Sequence, residues 1–313
     1  SEDLLYGVPV PEQAGVSNTT VTMNAASMDN SGFEFSALYR NHDHAMKYEI
    51  SANLSTLKNK VTSLGFGTDS YISGAYATYV GHEVGKFYGW VYEGIARTQA
   101  DLNNHATQQG AKIGDCLYKD VSGPDGKPDG VIDEHDQVVL GSGMAKVNFG
   151  LNAHLEYKNF DLSIVTYGAL NYHVADNIYN SLNSCYGWGN RDVAMVDANR
   201  YSEDGSTYIS NVPRTYATNN ATLAWNDLFS SRMIQNAAYW KIANVELGYN
   251  FPDKWFAGIV TGVRAYISAQ NLYTFTGYHG YNVDYAGATF TPGYNFCSFP
   301  SARSFMCGIH FTF

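Results

Sequence analysis

The sequence has no run approaching the roughly 18 apolar residues that a membrane-spanning helix needs, which excludes a helical membrane protein. It is also short of charge: 15% of its 313 residues are charged, against roughly 25% in an ordinary soluble domain. Basic residues are the scarcer kind, 19 Lys and Arg against 29 Asp and Glu for a net charge of −10, and they form no cluster. That argues against nucleic acid as a partner and against attachment to an anionic membrane surface, since both need grouped Lys and Arg. The four cysteines, Cys116, Cys185, Cys297 and Cys307, lie far apart without a C-x-x-C, so neither a zinc site nor a thioredoxin-like pair is indicated. Catalytic signatures are missing too. There is no G-x-S-x-G, no H-E-x-x-H and no P-loop, and the nine His are scattered, so no enzyme activity is expected. Carboxylates such as Glu203 and Asp204 sit in a polar loop and read as solvated. The opening stretch SEDLLYGVPVPEQAG has neither an initiator Met nor a basic-then-apolar leader, and the expectation is a fragment whose export signal lies outside this sequence.

What is present is aromatic: 25 Tyr, 16 Phe and 5 Trp, together with 30 Gly. A disordered chain does not carry so many rings. The mean hydropathy of −0.26 fits a barrel, because transmembrane strands need only about 10 residues with every second one apolar.

Alternation with period two is the clearest pattern. Phe33, Phe35, Ala37 and Tyr39 alternate with polar neighbours, and after the turn at Asn41 to Ala45 so do Tyr48, Ile50, Ala52 and Leu54. A second hairpin sets Phe149, Leu151, Ala153, Leu155 and Tyr157 before Phe160, Leu162 and Ile164. A third sets Ala243, Val245, Leu247, Tyr249 and Phe251 before Val263, Ala265, Ile267 and Ala269. One last strand carries Phe305, Cys307, Ile309, Phe311 and Phe313, giving about seven strands in all. Period two alone does not say whether the apolar face meets lipid or a second sheet. Connection lengths do: about 65–146 and 172–233 are long loops while the turns between them are short, which is the outer-membrane barrel plan. Tyr39, Tyr48, Tyr157, Phe160, Tyr249, Phe251 and Phe313 fall near the short-turn ends, where an aromatic girdle would meet the headgroups. Seven strands do not close a barrel, so more chain is needed.

Several stretches, in order, carry a resemblance over nearly the whole chain. They are VPVPEQAG (8–15), NAASMDNSGFEFSALYR (24–40), VGHEVGKFYGWVYEGI (80–95), YKDVSGPDGKPDGVIDEHDQVVLGS (118–142), YWKIANVELGYNFPDKW (239–255), VRAYISAQNLYTFTGYHGYN (263–282) and FPSARSFMCGIHFTF (299–313). Together they resemble the C-terminal third of SusC/RagA-like TonB-dependent outer-membrane transporters. The resemblance implies an all-β fold, residues 1–313 being the C-terminal part of one large antiparallel transmembrane barrel, of 22 strands in that family. It further implies a location in the outer membrane of a gram-negative bacterium, in contact with its lipid. The implied function is import of an oligosaccharide or peptide substrate with a SusD-like surface lipoprotein, powered by the TonB complex through an N-terminal plug region that precedes this part.

One loop has the pattern of a hard-cation site. Asp125, Asp129, Gly130, Asp133 and Asp136 fall at positions 1, 5, 6, 9 and 12 of a calcium loop, with the Val131 carbonyl at position 7. Lys127 at position 3 and Asp136 in place of a bidentate Glu depart from it. The alternative register begins at Asp120, with Ser122 next and the P-D-G-K stretch inserted, so the candidate segment is 120–136 and a structural Ca2+ its candidate occupant. Tyr186, Trp188, Tyr278, His279, Tyr281, Tyr285 and Tyr294 lie in aromatic-rich loops and are candidates for stacking on sugar faces or on a protein partner. On the polar strand faces, Asn244, Glu246, Arg264, Ser268 and Gln270 are candidates to face the lumen, beside His154, which reads as a hydrogen-bonded wall residue. The competing reading is a secreted all-β glycan-binding module, whose apolar strand faces would bury each other.

Overall fold

The computed structural model describes residues 4–9, 20–65, 68–183, 190–215, 225–255, 260, 262–284, 287–295 and 298–312, with side chains from residue 26 onward except at 253. Its centre is a seven-stranded antiparallel meander: β1 (Glu34–Asn41), β2 (Met46–Thr56), β3 (Val147–Tyr157), β4 (Phe160–Leu170), β5 (Tyr239–Phe251), β6 (Gly262–Thr276) and β7 (Ser304–Thr312), each hydrogen-bonded to the next in sequence. The chain is all-β around this sheet, with only short helical turns elsewhere.

Register decides which residues share a face, because a slip of one residue would exchange the two faces. One continuous row of partners runs Tyr39, Ile50, Ala153, Ile164, Val245, Ala269, Phe305. A parallel row runs Tyr48, Leu155, Leu162, Leu247, Ile267, Cys307. Every member is apolar or aromatic. Among the described residues no second sheet covers this face, and it stays open: Phe35 is 63% exposed, Ile267 60%, Ile309 61% and Phe305 72%. So large an apolar surface is unstable in water. A module whose faces bury each other would hide these side chains, and here they are bare.

Aromatic rings border the apolar face at both ends. At the short-turn rim Phe160, Tyr249, Phe251 and Trp255 form a chain of ring contacts with centroids 4.8, 5.0 and 5.8 Å apart, and Tyr39 packs on Tyr48. At the other rim Trp240 stacks on Phe275 at 5.3 Å, with Tyr273 against it at 4.7 Å. From Trp240 to Tyr249 the strand takes nine residue steps, which at about 3.3 Å each and a tilt of about 40° is roughly 23 Å, close to the roughly 25 Å apolar band of a transmembrane barrel. Phe313 lies outside the described residues.

The strands reach further toward the long-loop rim than alternation alone indicates. β4 continues to Leu170 and β5 starts at Tyr239 rather than near Ala243. The reason is a β-bulge between Ile242 and Asn244, which interrupts strict alternation while pairing goes on. Gly168 makes room in this upper part: a Cβ there would come 2.2 Å from the Tyr239 carbonyl and 2.6 Å from the Phe149 ring. Strands Thr20–Ser31 and Lys58–Ser63 extend β1 and β2 beyond the sheet as a paired ribbon.

The long loops fold into a body with its own core. Strands Ser70–Ser73, Tyr76–Tyr79, Lys86–Gly89 and Val138–Ser142 form a four-stranded sheet. Phe87 is fully buried there between Tyr76, Phe229 and Ala175. The segment up to Met233 closes onto this sheet through Trp90 N–H to the Phe229 carbonyl (3.2 Å) and Ser231 N–H to the Trp90 carbonyl (3.0 Å). Asp115, wholly buried, holds Arg214 at 2.6 Å and Asn226 at 2.9 Å across the two loops. Burial pushes the neighbouring Cys116 thiol up to about 12, which leaves it an inert core residue.

Candidate functional site

The face opposite the apolar one is polar. One row of partners reads Arg40, Glu49, His154, Ser163, Glu246, Ser268, Met306, and the next reads Leu38, Ser51, Asn152, Val165, Asn244, Gln270, Ser304. Asn244, Glu246, Arg264, Ser268 and Gln270 therefore all stand on this one face. Charge concentrates toward the short turns, and there it is paired. Arg40 meets Glu49 at 2.5 Å, Lys47 meets Glu156 at 3.6 Å, and His154 sits between Ser163 (2.8 Å) and Glu156 (3.3 Å). Arg264 forks onto both oxygens of Asp161 and reaches Glu246 at 2.8 Å, while Asn250 donates to Asp161 at 2.9 Å. Gly248 allows that cluster: a Cβ there would lie 2.5 Å from both the Arg264 guanidinium and the Asp161 carboxylate. Toward the long-loop rim amides and hydroxyls predominate, with Ser36, Asn53, Ser51, Asn152, Asn244 and Gln270 in adjoining registers, and Glu34 stands beyond them opposite Ser55.

Asp284 closes the upper end of this wall. It lies in the connection from β6 to β7 and turns onto the strands, accepting hydrogen bonds from Tyr167 (2.5 Å) and Tyr239 (3.1 Å) and pairing with Lys241 at 3.3 Å. The Lys241 side chain is only 5% exposed, so its ammonium depends on this carboxylate and on the Tyr167 ring 5.7 Å away. Burial alone would raise the Asp284 carboxyl, but the Tyr167 hydroxyl and the Lys241 charge outweigh it and hold it below the usual carboxylate range. Nothing in the sequence flags Asp284: its three partners are remote in the chain and meet it only through the register.

The aromatic loop candidates divide. Tyr278, proposed as a ligand contact, is 6% exposed and packs with Tyr172, Val174 and Val283, its hydroxyl accepting from Asn295. It is a core residue and offers no free ring. Tyr294 is partly buried against Tyr76 with centroids 6.3 Å apart, again a packing role. Tyr281 is 64% exposed and His279 is exposed beside Gln235. Tyr186, Trp188 and Tyr285 lie outside the described residues.

In the acidic loop the geometry follows the register that begins at Asp120. Gly130 N–H donates to Asp120 Oδ2 at 2.7 Å, spanning the inserted residues, and a Cβ on Gly123 would come 2.6 Å from the Asp129 carboxylate. Asp136 is fully buried and accepts from the backbone of Val121 (2.8 Å), Ser122 (3.1 Å) and Asp133 (2.9 Å). Asp133 caps the following turn through His135 N–H at 2.8 Å, a bond that holds its carboxyl below the usual range. Val131 forms a parallel bridge with Thr107. Asp125 turns instead onto Lys127 N–H (3.2 Å) in the exposed insertion. Among the described residues no three His, Cys, Asp or Glu side chains gather closely enough to hold a metal ion. Asp120 Oδ1 is buried and has no hydrogen-bond partner.

The wall cluster yields a direct test. Asp161→Asn removes the charge that Arg264 grips and lowers stability by about 1.5–3 kcal/mol. Gly248→Val pushes the same pair apart, so the double variant is no worse than about the larger single loss. Urea unfolding of the complete protein in vesicles measures both, and additive losses contradict the shared cluster.

No protein-family profile matches the chain. Individual relatives do. TonB-dependent receptor P3 of Formosa agariphila is 29% identical over 333 aligned positions, covering 100% of this chain and 31% of that protein. TonB-dependent receptor SusC of Bacteroides thetaiotaomicron is 24% identical over 332 positions, covering 100% of this chain and 29% of SusC. Among solved structures, the RagAB peptide transporter superposes with a TM-score of 0.77 at 21% identity, again over 100% of this chain and 32% of that one. The chain spans about a third of the length of the relatives it matches. With an all-β wall whose apolar face is bare, and with this similarity from end to end, the chain is similar to a barrel segment making up about a third of a SusC/RagA-like TonB-dependent transporter.

Proposed function

We propose that this chain is part of an outer-membrane nutrient importer of the SusC type, in a gram-negative bacterium. The observation that carries the reading is the division of one seven-stranded wall into a bare apolar face bordered by aromatics and a polar face with paired charges. In this reading the short turns face the periplasm and the folded body of long loops stands outside the cell. Substrate, a glycan or a peptide, is received there together with a SusD-like lipoprotein, and passes along the polar wall when the TonB complex acts on a plug. No bond is made or broken. Support for the partners comes from the relatives' names and from the size of the loop body, which offers a folded surface rather than loose loops.

The test is growth on candidate nutrients of a bacterium carrying the complete gene, with and without an intact TonB system. The reading predicts a nutrient whose uptake needs both the gene and TonB. Uptake of every nutrient unchanged by deletion of the gene contradicts it.

We also propose that the 120–136 loop binds a hard cation, Ca2+ by its oxygen donors, with a structural role. The orphaned Asp120 Oδ1 is the observation behind the reading; Asp129, Asp133, Asp136 and the Val131 carbonyl are the loop's other candidate donors, and since no three carboxylates are gathered among the described residues, binding would have to draw them toward Asp120. Asp125, turned outward, is not among the proposed ligands. Adding about 1 mM Ca2+ (roughly ten times a weak-site Kd of about 10⁻⁴ M) to chelator-treated protein stabilises it by about 1.4 kcal/mol. A calorimetric scan measures the rise in Tm. The rise disappears in Asp120→Asn, and an equal rise in that variant contradicts the site.

A further inference from the structure

A cavity of about 560 Å³ adjoins the upper ends of β5 and β6, on the side of the sheet that carries the apolar face. Alternation fixes that side. Tyr239 and Lys241 bond Asp284 on the polar face, and beyond them Ala237 and Tyr278 turn the same way, into the core with Tyr172 and Val174. Their chain neighbours Ala238 and Gly277 lie on the opposite side and line the cavity, each two residues beyond a ring of the upper aromatic border, Trp240 and Phe275. Two residues rise roughly 5 Å along the membrane normal, at about 3.3 Å each and a tilt of about 40°. The headgroup layer on each side of a bilayer is about 5–8 Å deep. The cavity therefore stands at headgroup height on the outer side of the wall.

Its lining suits an anion. Arg232 brings a guanidinium, steadied by a bond from Nη1 to the Asn226 carbonyl at 3.2 Å, which uses one of its five N–H donors. Asn236 and His279 are exposed in the same lining, and because Asn236 Oδ1 accepts from Ala238 N–H at 2.9 Å, the Asn236 nitrogen is the end that donates. Among the described residues no carboxylate lines the cavity. Asp176, bonded to Gln235 in the wall, is 2% exposed and turns onto the backbone N–H groups of Ile178 and Tyr179. A guanidinium with amide donors is the usual partner of a phosphate. Directly below, Trp240 and Phe275 are 40% and 47% exposed. A soluble anion would leave those rings bare and an uncharged headgroup would leave the guanidinium unanswered, whereas a phosphorylated lipid meets both.

We propose that this cavity binds the phosphate group of an outer-leaflet lipid, with Arg232 pairing its charge and Asn236 and His279 donating to its oxygens. The proposal rests on the transporter reading for the membrane around it, and the binding itself is measured separately. The complete protein, purified with its lipoprotein and delipidated in non-ionic detergent, is titrated in native mass spectrometry with lipid A and with lipid A stripped of its phosphates, and in calorimetry with inorganic phosphate. Lipid A binds the wild type, and the stripped form binds at least about tenfold more weakly. Asn236→Asp keeps the oxygen that Ala238 N–H needs and puts a negative charge in the cavity, so it weakens lipid A binding at least about tenfold, as does Arg232→Gln. Lys254→Gln, at the opposite rim, leaves that binding unchanged. Retained heat-modifiable mobility on gels establishes that the variants still fold. If Arg232→Gln lost that mobility, Asn236→Asp alone would decide. Four results overturn the proposal: unchanged affinity in the folded cavity variants, equal binding of stripped lipid A, an equal loss in Lys254→Gln, which marks diffuse charge attraction, and inorganic phosphate binding as tightly as lipid A, which makes the ligand a soluble anion. TonB-dependent uptake that survives while lipid A binding fails sinks the cavity and leaves the transporter; lipid A binding without TonB-dependent uptake does the reverse.

Discussion

Everything in this protein hangs on the antiparallel register of one seven-stranded sheet. In hydrocarbon each backbone N–H and C=O must find a partner within the protein, and the meander supplies partners along its inner strands apart from the bulge at Ala243, leaving β1 and β7 as its edges among the described residues. The same register sorts side chains with period two, so one set of pairings places Ile50, Ala153, Ile164 and Val245 on one face and Glu49, His154, Ser163 and Glu246 on the other. An apolar face and a polar face are thus set by the same hydrogen bonds. Among the described residues β1 and β7 each keep one edge without a strand partner, and the chain spans about a third of the length of its relatives.

The polar face uses that register to bring remote charges together. Arg264, Asp161 and Glu246 come from three strands and meet because Gly248 leaves room between them. Asp284 does for the rim what Asp161 does for the wall, joining a loop to Tyr167, Lys241 and Tyr239 on β4 and β5. Paired charges near the short turns and neutral amides near the mouth divide the wall into a rigid lower part and an upper part with hydrogen-bonding groups to offer. The loop body above it is built as a domain is, around Phe87, Tyr118 and Tyr208, each at most 1% exposed.

The seven strands were legible in the sequence because alternation is local: Phe33 to Tyr39 and Tyr48 to Leu54 declare their faces within a few residues. Their upper ends were not, since the bulge at Ala243 breaks the alternation and only pairing with Tyr273 and Gln270 continues the strand. Arg264 was visible as a polar-face residue, but its grip on Asp161, 103 residues away, was not. The aromatic loops misled at Tyr278, because a Tyr among Gly, His and Asn reads as exposed while its core partners Tyr172 and Val174 lie across the sheet mouth. For the acidic loop the sequence left two registers open, and the bond from Gly130 to Asp120 over the inserted residues favours the one beginning at Asp120.

The central claim is that odd-numbered residues of β6 meet lipid and even-numbered ones meet water. Single cysteines placed from Arg264 to Gln270, in the complete protein with its native cysteines replaced by serine and reconstituted in vesicles, test it most directly. The account predicts that Ala265, Ile267 and Ala269 positions resist a water-soluble maleimide and that fluorophores there are quenched by brominated lipid, while Arg264, Tyr266 and Gln270 positions react and are not quenched; the buried Val263 and Ser268 positions are left out. Labelling without this alternation, or odd positions that react freely while the protein stays folded and dispersed without detergent, would contradict it.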